Sequence, residues 1–377
     1  MKKLIIGSLT TAIPVPLASS CSYFFNKKAE EINRSSPTLK AKEEVILKLP
    51  EIRKKLNDYT FRLVTEGGWG TGWILDYQLP KKGEKYPLTW YIATNHHVIG
   101  RSIFQSNDYE IKNFCDLTAC DKNSLSDWTF IRRNMKGREY LYHGAIKRQK
   151  IKPPRLFFVA DDFLENTEKT QYRDFAILEI EFTDEEYARE VTSDFATKYP
   201  INTKKAINVF APSLGKEEIE SKKRNYYNLS YPTKAGRWDY LVSWFDKQEN
   251  SSKIVGIQNI RIANCKNRGI CEKERRYSYK MLNAKQINKG ASGSMYIDDK
   301  GNLLGLLTSS CKTIGEKGNG VLPIRTKQIS IGRASSQEYD LILGAKGQTI
   351  SYKSQVEKYK KNTWLSTFKE WDTPIIV

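Results

Sequence analysis

From residue 59 onward the apolar positions fall in short runs rich in β-branched and aromatic residues, each ended by glycine, lysine or Asn/Asp punctuation. That is the pattern of antiparallel strands. Residues 59–64, 72–77 and 88–94 read as the first three strands. Gly67, Gly68, Gly70 and Gly72, around Trp69 and Thr71, read as a tight turn entering the second, because the G-x-x-x-x-G-K-[ST] phosphate loop is missing. The polar interval 102–171 holds strand-like pieces at 128–131, 140–146 and 156–159 and is expected to add loops or hairpins to the domain. Further strands are predicted at 173–182, 206–210, 240–244, 254–262, 295–297, 303–308 and 321–324. The turn Asp298-Asp299-Lys300-Gly301-Asn302 makes a hairpin of 295–297 and 303–308. The basic stretches 222–224 and 266–280 read as loop surfaces.

Helical periodicity is confined to three places. Residues 39–57 carry apolar side chains among Glu and Lys, with Pro50 expected to break the helix. Residues 184–194 are helix-capable with Thr183 as N-cap, and 354–370 read as a docked terminal helix. The density of short strands favours a β-barrel or sandwich with peripheral helices over a doubly wound α/β fold.

The first residues break this pattern. Lys2 and Lys3, an apolar segment from Leu4 to Leu17 and Ala18-Ser19-Ser20-Cys21 read as an export signal of residues 1–20, and its end resembles the bacterial lipobox. This implies a lipid-anchored Cys21, a polar tether over 21–38, and a body on the extracellular face of the cell membrane. No later run approaches the roughly 20 apolar residues of a membrane span. Cys115, Cys120, Cys265, Cys271 and Cys311 are too few for a disulfide framework, their odd number leaves a free thiol, and neither close pair has zinc-type C-x-x-C spacing. A net charge of +19 favours acidic surfaces or anionic headgroups. The lysines are scattered, so no specific nucleic-acid partner is expected.

Three local motifs carry chemistry. An apolar segment ends in Thr94-Asn95-His96-His97-Val98, Arg173-Asp174-Phe175-Ala176 enters a strand, and Lys289-Gly290-Ala291-Ser292-Gly293-Ser294 places a hydroxyl in a turn of small residues. Base, orienting acid and nucleophile thus follow in the order His97, Asp174, Ser292, one of the recurring orders of a catalytic triad. His96 would point elsewhere in an extended chain and stays the alternative base. Nothing in this chemistry calls for a metal, and no nucleotide motif calls for a cofactor.

These motifs resemble those of chymotrypsin-fold serine proteases. With the lipoprotein signal and Trp-rich early strands, the chain more closely resembles the mycoplasma immunoglobulin protease family over residues 59–335. The resemblance implies a mainly β fold, a chymotrypsin-like double six-stranded antiparallel β-barrel with peripheral helices and a C-terminal helix. After a helical segment at 39–57, the protease domain would span 58–377, with barrels at about 58–182 and 200–335. It further implies an oxyanion hole from the N–H groups of Gly290 and Ser292, with Gln286 at the base of the specificity pocket. Ser294 departs from the second glycine common after the nucleophile, which bears on the oxyanion region. Host immunoglobulin heavy chain is the implied substrate, in some systems with a separate antibody-binding protein. A catalytically idle immunoglobulin-binding or adhesion lipoprotein and a general extracellular housekeeping protease are the alternatives.

Overall fold

The computed structural model describes residues 46–65, 68–100, 104, 109–111, 129–131, 133–134, 141–142, 150–161, 172–232, 251–261, 275–282, 290–313 and 316–373. Two antiparallel six-stranded sheets form the body. The first contains β1 (Thr60–Thr65), β2 (Gly68–Tyr77), β3 (Thr89–Thr94), β4 (Thr129–Ile131), β5 (Arg155–Asp161) and β6 (Tyr172–Glu181), in the order β4-β1-β2-β3-β6-β5. The second contains β7 (Tyr226–Asn228), β8 (Lys253–Arg261), β9 (Arg275–Leu282), β10 (Met295–Asp298), β11 (Leu303–Thr313) and β12 (Glu316–Pro323), in the order β8-β9-β12-β11-β10-β7. An antiparallel bridge, Tyr226 to Ser252 with both hydrogen bonds at 2.9 Å, also joins β7 to the residue before β8. No closed barrel is found among the described residues.

The apolar run Leu303–Leu307 does not alternate with polar residues because β11 is covered on both faces. Leu303 and Leu306 pack with the large cluster that contains the first sheet's side chains, while Leu304 and Leu307 pack in the second sheet's own cluster with Tyr277, Tyr279 and Met281. β10 divides likewise, Met295 and Ile297 to one side and Tyr296 to the other.

Several expectations are corrected. Pro50 starts a helix, α1 (Leu49–Tyr59), where its missing N–H costs nothing, and Glu51 accepts the Lys48 N–H at 2.8 Å. The part of 39–57 before residue 46 lies outside the described residues, as do Cys21 and 240–244. α3 (Glu185–Val191) is capped by Asp184, not Thr183: the Asp184 carboxylate accepts the Tyr187 N–H at 2.6 Å. Between them, α2 (His96–Ile99) is a single turn. The interval 102–171 supplies two members of the first sheet, β4 and β5. Basic residues 275–280 are in β9, not in a loop. Residues 206–210 make only a parallel bridge, Asn208 to Asn302.

Short helices α4 (Phe195–Lys198) and α5 (Lys216–Ser221) lie between the sheets in sequence. At the C-terminal end the expected helix 354–370 is instead α6 (Tyr352–Lys358) followed by 3-10 turns at Leu365–Thr367 and Lys369–Trp371. The chain leaves the helix through Lys360 at φ +51° and pairs with the end of β2: Trp364 N–H donates to the Tyr77 carbonyl at 2.9 Å, and the two rings stack 5.5 Å apart. A tertiary strand contact has won over helical periodicity.

Candidate active site

The ladder between β3 and β6 sets Thr94 opposite Ala176, so Asp174 lies level with the point where β3 turns into α2. Asn95 fixes that junction by donating its side-chain amide to the Asp174 carbonyl at 2.7 Å. Fully buried Asp174 then holds His97 twice, accepting the backbone N–H on Oδ1 at 2.9 Å and Nδ1 on Oδ2 at 2.6 Å. A carboxylate only accepts, so Nδ1 carries the proton and Nε2 is left as a base. His97 is partly exposed, whereas His96 is buried. The geometry therefore favours His97 over His96.

Oδ2 of Asp174 also accepts from Thr308 Oγ1 at 2.6 Å. Sequence reasoning missed Thr308, which is only the first of three hydroxyl residues, Thr308-Ser309-Ser310, after the apolar run of β11. It ties the carboxylate of the first sheet to a strand of the second.

The Ser292 turn packs against the chain that leads into His97. Gly290 and Gly293 take φ of +97° and +90°, conformations that L side chains rarely adopt. Thr71 of β2 grips the turn, its N–H donating to the Ser292 carbonyl at 2.8 Å and its hydroxyl to the Gly290 carbonyl at 2.9 Å. The Gly293 N–H donates to the Leu307 carbonyl at 2.9 Å. A Cβ on Gly293 would lie 2.1 Å from the Thr71 carbonyl, 2.4 Å from Thr94 Oγ1 and 3.1 Å from the Asn95 nitrogen. The turn thus touches the chain two residues before His97.

Gly70 plays the same part from β2, since its Cβ would meet the Val98 side chain at 2.5 Å and the Ser292 carbonyl at 3.0 Å. The expected turn at Gly70 and Gly72 is strand interior, and at Gly70 the missing side chain makes room for the neighbours of His97 and Ser292. Ser292 itself is half-buried. Among the described residues, the N–H groups of Gly290 and Ser292 donate to no protein acceptor. Ser294 turns inward and is fully buried. Gln286 lies outside the described residues.

Among the described residues no cluster of His, Cys, Asp and Glu could hold a metal ion, and no helix is long and apolar enough to cross a membrane. Two antiparallel sheets that carry an imidazole on a buried carboxylate, beside a turn that bears a serine, have the make-up of a protease. The chain belongs to the family described as mycoplasma immunoglobulin protease, whose profile matches residues 51–279. That match takes in His97 and Asp174 and ends before Ser292.

A membrane-associated lipoprotein of Ureaplasma parvum serovar 3 is 34% identical over 130 residues, 30% of this chain. The matched stretch is 15% of that protein's length. Among solved structures, that of the mycoplasma MIB and MIP proteins has a TM-score of 0.49 at 15% identity, covering 80% of this chain and 61% of that one. A protease of M. tuberculosis in its active form has a TM-score of 0.35 at 14% identity, covering 79% and 89%.

Proposed function

We propose that this chain is a serine endopeptidase of the cell surface, hydrolysing peptide bonds through an acyl-enzyme. The two-point hold of Asp174 on His97, with the Ser292 turn packed against Thr94 and Asn95, is the observation that carries this reading. Nε2 of His97 takes the Ser292 proton as the hydroxyl attacks the scissile carbonyl and returns it to the leaving amine. Asp174 keeps the imidazole in the required tautomer and stabilises its charged form. The N–H groups of Gly290 and Ser292 receive the oxyanion, each worth about 3 kcal/mol in such sites. The two sheets are the halves of a double barrel. In support, both follow one cyclic order: a strand, its next two neighbours in sequence, then the last three in reverse.

The substrate is immunoglobulin heavy chain, presented with or without a separate antibody-binding protein; the family description, an immunoglobulin protease, supports an immunoglobulin substrate. Cys21 is the lipid attachment point, in keeping with the lipoprotein relative. The resemblance assigns Gln286 to substrate specificity, and a neutral amide there gives no strong preference for Lys or Arg.

The test is to incubate the protein with folded immunoglobulin and with unfolded casein, beside S292A, and to weigh the products. Covalent labelling by a fluorophosphonate at Ser292, with cleavage of folded heavy chain that S292A lacks, is expected. Binding of immunoglobulin with neither labelling nor cleavage overturns the enzyme reading, and equal cutting of casein overturns the substrate. A C21A chain released from membranes of expressing cells would support the anchor.

A further inference from the structure

The peptide group between Ala291 and Ser292 has the proposed oxyanion donor, the Ser292 N–H, at one end and the Ala291 carbonyl at the other. That carbonyl accepts two hydrogen bonds from one residue, the Ser294 N–H at 3.1 Å and the Ser294 hydroxyl at 2.7 Å. The hydroxyl in turn accepts from Asn228 Nδ2 at 2.8 Å, and Nδ2 also donates to the Met295 carbonyl at 2.8 Å. Chemistry fixes the directions. Carbonyls only accept, so Ser294 donates to Ala291, and Asn228 must turn its nitrogen toward Met295 and Ser294. Asn228 and Ser294 are both fully buried. Oδ1 of Asn228 is buried with no hydrogen-bond partner among the described residues, a cost that makes sense if the amide is kept for its two donor bonds.

We propose that Asn228 and Ser294 form a hydrogen-bond relay that orients and polarises the Ala291–Ser292 peptide, making its N–H a pre-aimed and strengthened oxyanion donor. The proposal rests on the reading of Ser292 as nucleophile. In a planar trans peptide the N–H points opposite to the C=O, so pinning the Ala291 carbonyl inward aims the Ser292 N–H outward. Hydrogen bonds in a chain polarise one another, by roughly 10–30% per bond, and here the chain runs from Asn228 through Ser294 and the peptide to the oxyanion. A glycine at 294 would keep only the longer backbone bond. The residue that looked like a departure from the family's glycine is on this view a positioning residue, and Asn228 sets it from the edge strand β7.

The experiment measures labelling by a fluorophosphonate, whose phosphonyl oxygen occupies the oxyanion position, resolved into maximal rate and half-saturating concentration across pH. S294A is expected to lower the maximal rate about tenfold with the half-saturating concentration within about twofold. The pH profile, which reports the His97–Asp174 pair, should keep its midpoint and lose only height. N228D is nearly isosteric, but its carboxylate would draw the Ser294 proton away from Ala291, so it should match S294A. N228A reads the relay from its far end should S294A melt early.

Folded variants with wild-type maximal rates, or a shifted pH midpoint, overturn the relay while the enzyme reading stands. Wild-type protein that takes no label at Ser292 overturns both.

Discussion

Asp174 grips His97 by two different atoms, main-chain N–H and ring Nδ1, so the carboxylate fixes both the start of α2 and the tautomer of the imidazole. D174N would keep the shape and put an amide where an acceptor is needed, offering a hydrogen to a ring nitrogen that already bears one. The maximal cleavage rate should drop by about 10⁴, as expected when the imidazole is held in the wrong tautomer. The melting temperature should change far less. A loss under tenfold in single-turnover cleavage would show that Asp174 is not the orienting acid.

Thr308 gives the second test, because its 2.6 Å hydrogen bond reaches the same oxygen that faces Nδ1. T308V removes that donor from a fully buried carboxylate, and T308S keeps it. T308V should cut kcat/KM about tenfold, since hydrogen bonds to charged groups are worth about 1.5–3 kcal/mol and only part of that is felt at His97. T308S should remain within about threefold of wild type. A T308V variant at least as active as T308S would show that the hydroxyl is not the relevant group.

Gly293 and Gly83 make a matched pair. Both take positive φ, +90° and +94°, but a Cβ at 293 collides with three groups whereas one at 83 meets nothing within 4 Å. G83A should cost about 1 kcal/mol of backbone strain and leave activity alone. G293A carries that strain plus contacts near 2 Å with the Thr71 carbonyl, so the turn must leave Thr94 and Asn95. Cleavage should become undetectable, with more than about 3 kcal/mol lost in urea unfolding. Activity in G293A above a tenth of wild type would place the working Ser292 in a different conformation.

The chemistry was readable in the sequence because each motif is local: histidine after an apolar strand, aspartate at a strand entry, serine between glycines. What joins them was not. Thr71, Thr308 and Asn228 act on groups 219, 134 and 66 residues away, and no periodicity reveals such pairs. β9 was misread for another reason. Its Arg and Lys suggested a loop, yet Tyr277, Tyr279 and Met281 are buried at alternate positions, and period two outweighed charge. At 354–370 the apolar spacing was helical, but the stacking of Trp364 on Tyr77 and the backbone pairing with β2 decided the conformation.

Asp76 is the point where the C-terminal segment is clasped to the strand that leads to Thr71. It is fully buried in β2 and accepts the N–H of Tyr77 at 2.8 Å, the N–H of Leu365 at 2.9 Å and the Tyr352 hydroxyl at 2.9 Å. Burial pushes its carboxyl up to about 7, with hydrogen bonds from Leu365, Thr363, Tyr352 and Tyr77 opposing the rise. The folded value lies above the unfolded one, so the folded state binds the proton more tightly. The stabilisation from this group is complete below about pH 4 and is lost as pH climbs through about 7, at most about 4 kcal/mol for three pK units. D76N cannot titrate, and subtracting its melting curve removes the contribution of every other group. The melting temperature of wild type minus that of D76N should therefore be most positive near pH 4 and fall steadily to pH 8. A difference that grows with rising pH would mean that Asp76 works as a charged acceptor, with its carboxyl held down by those four donors.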